Sequence, residues 1–150
     1  MDDPEDINTQ KLCVLINGYL KRKFGCKSDP AYDTLDQAIY AKAYEFDIYL
    51  RCQGILKEWP GKTLVMARLS FRNQRVGHGA SLVTFLAMKA RKLGYEYLGI
   101  EHTNENSAAF AKKLGFDKYL KTNNWVVNID EYLSRQELST WRENDSTSIC

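Results

Sequence analysis

Apolar positions recur at helical spacing from Ile7 to Phe24, where Leu12, Leu15, Ile16, Tyr19 and Leu20 form one stripe. Lys21, Arg22 and Lys23 fall in the last turn of that pattern, where cations suit the helix dipole, and Gly25 fits the stop. Lys27 to Asp33 reads as a loop, marked by Ser28-Asp29-Pro30. The next stretch carries two periods at once. Thr34 with Gln37 three residues on makes a capping pair, and Leu35, Ile39, Ala43, Phe46 and Leu50 keep helical spacing. Tyr44, Phe46, Ile48 and Leu50 also alternate with Glu45, Asp47 and Arg51, as in a strand. The expectation is a helix from Thr34 to about Ala43, then a strand to about Cys52, with turns at Gln53-Gly54 and Trp59 to Lys62.

The second half is plainer. Thr63 to Leu69 is a nearly continuous apolar run of strand length, as a central strand requires. After a turn at Gly77-His78-Gly79, Ala80 to Leu93 has helical spacing, burying Leu82, Val83, Leu86, Ala90 and Leu93, and Gly94 supplies the stop. A strand is expected within Tyr95 to Thr103, and a short helix from Ser107 to Leu114, ended by Gly115. Two short strands follow around Lys118–Lys121 and Trp125–Ile129, with a turn at Asn123-Asn124. Asp130 can cap a last helix reaching about Arg142, and residues 144–150 read as a polar, flexible tail. Strands alternating with helices describe an α/β or α+β sheet protein, with residues 1–143 as one domain.

Composition narrows the function classes. The chain has 150 residues, 44% of them hydrophobic, and a net charge of +2. This suits one packed domain, and the charge is too small to imply nucleic-acid binding. The basic clusters Lys21–Lys23, Lys89–Lys92 and Lys112-Lys113 all fall at predicted helix ends, where dipoles account for them. Cys13, Cys26, Cys52 and Cys150 are scattered, without the spacing of a zinc site or a disulfide framework, so no metal is expected. The acidic start and the lack of a long apolar run give no secretory or membrane-spanning signal, and a cytoplasmic location is expected.

The chemistry concentrates at Gln74-Arg75-Val76-Gly77-His78-Gly79-Ala80, which joins a strand directly to a helix. Glycines there allow a sharp turn and close approach of a ligand, and the free N–H groups of the helix start form an anion site suited to a pyrophosphate. The G-x-x-x-x-G-K-[ST] string is absent, and Leu82 breaks the G-x-G-x-x-G fingerprint. Gln74, Gly77 and Gly79 instead match the signature Arg or Gln, two residues, Gly, one residue, Gly or Ala. The block from Asn104 to Phe116 adds a second motif, an Asn opening a helix that ends in Leu-Gly-Phe. In both motifs and their spacing, the chain from Leu64 to Tyr119 resembles the Gcn5-related N-acetyltransferases. Residues 1–60 carry no such likeness.

That resemblance implies a mixed, mostly antiparallel sheet with a splayed central strand pair and flanking helices, acetyl-coenzyme A as cofactor, and an amine acceptor. It implies that backbone amides of Val76 to Ala80 hold the pyrophosphate. It also implies that backbone near Leu69 and Phe71 pairs with the pantetheine arm, and that Asn104 contacts the arm or caps its helix. The chain departs from the family where many members carry a tyrosine that protonates the departing thiolate, because Ala111 stands there. Ser107, one turn earlier, is the substitute candidate. For the general base, Glu101 is the first candidate and His102 the second, and strand alternation allows only one of them to face the site. The leading expectation is an N-acetyltransferase acting on a small-molecule amine or on one linked to protein or RNA. The alternative is a coenzyme-A-binding regulatory or interaction protein that has lost catalysis. No membrane partner is expected, nucleic acid enters only as an acceptor carrier, and a homodimer is compatible with the sequence.

Overall fold

In the computed structural model, which describes residues 4–55, 58–74, 76–101 and 104–148, the chain begins with helix α1, Pro4–Phe24. Its Leu12, Ile16 and Leu20 are fully buried, as the periodicity requires, and it stops at Gly25 with φ +69°. Three strands follow: β1 (Ala31–Asp33), β2 (Ala38–Lys42) and β3 (Phe46–Ile55). Then come β4 (Lys62–Phe71), α2 (His78–Lys92), β5 (Tyr97–Ile100), α3 (Glu105–Lys113), β6 (Asp117–Lys118), β7 (Trp125–Asn128) and α4 (Ile129–Ser148).

The helix expected from Thr34 to Ala43 is a β-hairpin instead. Thr34 does cap locally, but it caps a turn. The Gln37 amide donates to the Thr34 carbonyl, the Ala38 amide donates to the Thr34 hydroxyl, and Gln37 adopts φ +59°. Ile39 and Ala41 are fully buried while Tyr40 is only half-buried, so the period is two. The last helix also starts and ends differently from the expectation. Asn128, not Asp130, caps it by accepting from the Glu131 amide at 3.1 Å, and the polar residues after Asn144 continue it to Ser148.

The strands form one sheet in the order β1-β2-β3-β4-β5-β7-β6. Only β4 and β5 run parallel; every other neighbouring pair is antiparallel. One sheet face carries the core: Ile39, Ala41, Phe46, Ile48, Leu50, Leu64, Met66, Leu98 and Ile100 pack with apolar residues of α1 and α2, and with Tyr132 of α4. The opposite face carries Tyr32, Tyr40, Tyr49, Arg51, Arg68 and Glu101. Trp59, from the β3–β4 connection, covers its β5 side and packs on Gly99.

Two buried contacts lock the first half of the chain to this frame. The Asn17 side chain accepts from the Ala31 amide at 2.7 Å and donates to the Ala31 carbonyl at 3.0 Å, pinning β1 to α1. The Tyr95 hydroxyl donates to the Cys52 carbonyl at 2.6 Å, tying the start of β5 to β3. No helix of the described residues is long and apolar enough to cross a membrane.

Candidate active site

The parallel pairing of β4 with β5 stops early. Thr63, Leu64, Val65 and Met66 face Tyr97, Leu98, Gly99 and Ile100, and the Glu101 amide donates to the Met66 carbonyl at 3.3 Å. Beyond that rung β4 runs on to Phe71, paired with β3 alone among the described residues. A bulge marks the parting. Leu50 faces Met66 and Tyr49 faces Arg68, which leaves Ala67 without a partner on β3. The extra residue shifts the phase of β4, so that Leu64 and Met66, then Leu69 and Phe71, all lie toward the core. The central pair is therefore splayed, and among the described residues no strand pairs with the other edge of β4 from Ala67 to Phe71.

The loop after β4 leads to the start of α2. Gly77 is the N-cap residue, with φ +85° and open space where a side chain would stand. No side chain caps α2 and no acid sits in its first turn. Its first N–H groups and its positive dipole end are therefore available to an anion. Gly79 is held for a different reason: a Cβ there would come within 3.0 Å of the Phe110 ring on α3. Val76 is exposed, Gln74 is exposed in the loop, and Ala80 is half-buried. The His78 imidazole turns inward, with its centroid 5.0 Å from Phe24 and 5.7 Å from Phe71. Its Nδ1 is buried and has no hydrogen-bond partner among the described residues. Arg75 lies outside the described residues.

Across the parting, Asn104 is the N-cap of α3, and its side chain accepts from the Ser107 amide at 2.9 Å. Of the two roles open to it, capping is the one the geometry displays. Ser107 is half-buried in the first turn of that helix, and Ala111 is fully buried in the core. Glu101 stands one residue past β5. Gly99 faces Trp59 on the open side and Ile100 faces the core, so Glu101 returns to the open side. There its carboxylate meets Arg51 of β3 at 3.1 Å, bridging over β4, and its side chain is 14% exposed. His102 lies outside the described residues.

Three residues near Glu101 escaped the sequence reading. Tyr49, Arg51 and Arg68 share its sheet face. Tyr32, Tyr40 and Tyr49 stand in one row across β1, β2 and β3, and Arg68 continues that row on β4. Tyr40 stacks on Tyr49 with centroids 4.4 Å apart, while the Arg51 and Arg68 guanidinium carbons lie 5.3 and 5.9 Å from the Tyr49 ring centre. A hydrogen bond with Tyr40, and then partial burial, raises the Tyr49 phenol above the ordinary range, so it stays protonated. The polar half of the Phe46–Cys52 alternation was the available signal. What it lacked was the register that sets those residues beside Glu101.

Solved structures are similar in overall fold. The structure of AtaTR bound with AcCoA is 21% identical, covers 63% of this chain and 68% of its own, and superposes with a TM-score of 0.50. The KacTA–DNA complex is 17% identical over 87% of this chain and 85% of its own, with a TM-score of 0.52. The chain has the Gcn5-related N-acetyltransferase fold. Elp3 of the archaeon Methanocaldococcus infernus, lacking its N-terminus, shares that fold at 14% identity over 75% of this chain but 33% of its own, with a TM-score of 0.51. No protein-family model and no curated protein sequence matches the chain.

Proposed function

We propose that this chain is an acetyl-coenzyme-A-dependent N-acyltransferase that delivers an acetyl group to a primary amine. The observation that carries the reading is the parting of β4 from β5 together with the uncapped start of α2. The uncapped α2 start lies at the C-terminal end of β4, and the open β4 edge leads from there back to the Met66–Ile100 rung. The backbone N–H groups from Val76 to Ala80 hold the pyrophosphate. The open edge near Leu69 and Phe71 pairs with the pantetheine arm, much as a strand would, over about 17 Å for five residues of extended chain. The residues fit this ligand, since the helix start has no capping side chain or acid to compete with the phosphates. Bound acetyl-coenzyme A supplies a thioester carbonyl, which places the reaction near the parting, beside Glu101.

Glu101 takes the proton of the incoming ammonium, directly or through a water. An alkylamine has a pKa near the lysine value of about 10.4, so at neutral pH it is almost wholly charged and cannot attack. Ser107 sits across the parting and donates a hydroxyl toward the leaving thiolate in place of the missing tyrosine. Buried Ala111 favours a second reading, in which the chain binds coenzyme A without turning over.

The binding step is tested first. Gly77→Asp and Gly79→Asp would confuse binding with folding, because φ +85° strains any side chain at Gly77 and Phe110 crowds Gly79. Val76→Asp adds a carboxylate at an exposed loop position instead. Calorimetric titration should show acetyl-coenzyme A affinity falling at least about tenfold with the melting temperature unchanged, by analogy with other like-charge placements. Unchanged affinity would remove the basis of the proposal. Coenzyme A release on a panel of amines then separates the enzyme from the binding protein.

A further inference from the structure

The open sheet face holds an unusual local charge pattern at the parting of β4 and β5. Two guanidinium groups converge on one phenol ring. Tyr40 covers one face of Tyr49; Arg68 approaches from the neighbouring strand on the other side, and Arg51 from two residues along β3. Each arginine has one carboxylate partner, Arg51 with Glu101 and Arg68 with Asp47, both at 3.1 Å. The four charges cancel, with the two cations side by side at Tyr49 and one carboxylate beyond each. Arg51 and Arg68 side chains remain 43% and 52% exposed, while Glu101 is largely covered.

A simple cationic amine gains little from such a surface, because Arg51 already neutralises the carboxylate that would receive it. An amine that also carries an anion matches both signs. We propose that Arg51 and Arg68 form an anion subsite for the acceptor, and that the acceptor is an amine bearing a carboxylate or phosphate a few bonds from its nitrogen. This rests on the acyl-transfer reading for the role of Glu101. The guanidinium fork suits either anion through paired N–H donors. Asp47 is a weak competitor for Arg68, since exposed ion pairs contribute little net stability. The Tyr49 ring centre lies within 5.9 Å of both guanidinium carbons, and the Trp59–Tyr119 stack, with centroids 6.3 Å apart, stands on the β5 side of the same face.

The test uses the full chain saturated with coenzyme A, into which β-alanine, aminoethyl phosphate, propylamine and a diaminoalkane are titrated by calorimetry. The two anionic amines should bind at least about tenfold tighter than the other two, the usual gain for a hydrogen bond to a charged group. Arg68→Gln should erase that difference and leave coenzyme A affinity unchanged. Asp47→Asn, which frees Arg68, should tighten the anionic amines, a gain that a merely structural pair would not give. The ratio of carboxylate to phosphate binding identifies which anion the site takes. Equal or tighter binding of propylamine or the diaminoalkane would overturn the proposal, as would an Arg68→Gln loss shared by all four amines. Coenzyme A release from acetyl-coenzyme A is followed in parallel. Anionic amines that bind as expected but release no coenzyme A would leave the subsite standing and refute acyl transfer.

Discussion

At Asn104 a single side-chain oxygen satisfies the Ser107 amide and fixes where α3 begins. Asn104→Ala should cost about 1 kcal/mol in urea unfolding, and Asn104→Asp should retain most of it, because both amide and carboxylate cap well. Ala111 behaves differently. Under the proposed function a tyrosine there would add a proton donor, yet the side chain is fully enclosed by the core. Ala111→Tyr should therefore lower stability by about 1–3 kcal/mol through overpacking before any gain in turnover could register. Ser107→Ala is the cleaner probe, since that residue is only half-buried, and under the proposed role it should lower turnover with acetyl-coenzyme A affinity intact. Glu101→Gln keeps the shape and removes the proposed base. Turnover at neutral pH should fall, and the deficit should shrink as rising pH neutralises more of the amine. A deficit constant across pH would point to a positioning role through Arg51 instead.

At the level of elements, the α1–β1 contact rests on one asparagine. Asn17→Ala would leave the Ala31 amide and carbonyl without their buried partner, a loss of about 1–3 kcal/mol on the general scale for such groups. Hydrogen exchange at β1 should quicken more than at β4. The elements around the parting of β4 and β5 were the legible ones. The first half of β4, Thr63 to Met66, is buried on both sides, α2 has a five-residue buried stripe and a glycine at each end, and Asn104 and Gly115 bracket α3. Each of these signals is local, so sequence alone carries it. The β1–β2 hairpin was hidden because Thr34 and Gln37 imitate a helix cap, and the decisive feature, φ +59° at a glutamine, leaves no mark in composition. The bulge at Ala67 did leave one: the apolar spacing of β4 slips by a residue between Met66 and Leu69. The Arg51–Glu101 bridge left none, because it depends on strands from different parts of the chain taking one register. Half of the candidate site was therefore readable, namely the half made of backbone and glycine. The half made of side chains meeting across the sheet was not.

Across the whole molecule, the buried thiols and phenol tie stability to alkaline pH. Burial, with Asp33 and Asp29 nearby, pushes the Cys13 thiol up to about 11 from its ordinary 9.0. Burial pushes Cys52 higher still, with Cys13 and Asp33 adding to it, and burial raises the Tyr132 phenol despite its hydrogen bond with Thr84. In each case the folded state disfavours the ionised form, while the unfolded chain ionises at ordinary values. The linked stability is therefore fully present below the unfolded thiol value of 9.0 and is lost as pH rises through the folded value of about 11 for Cys13. The fall is steep because Cys13 and Cys52 both pack in the core that joins α1 to β3. Urea midpoints measured in steps from about pH 7 to about pH 11 should stay level at first and then drop. The informative quantity is the difference between parent and variant. Cys52→Ala should start lower at neutral pH, for the lost packing, but decline less steeply above about pH 9. Parallel curves for parent and variant would mean that Cys52 ionises as readily folded as unfolded, which its complete burial does not allow.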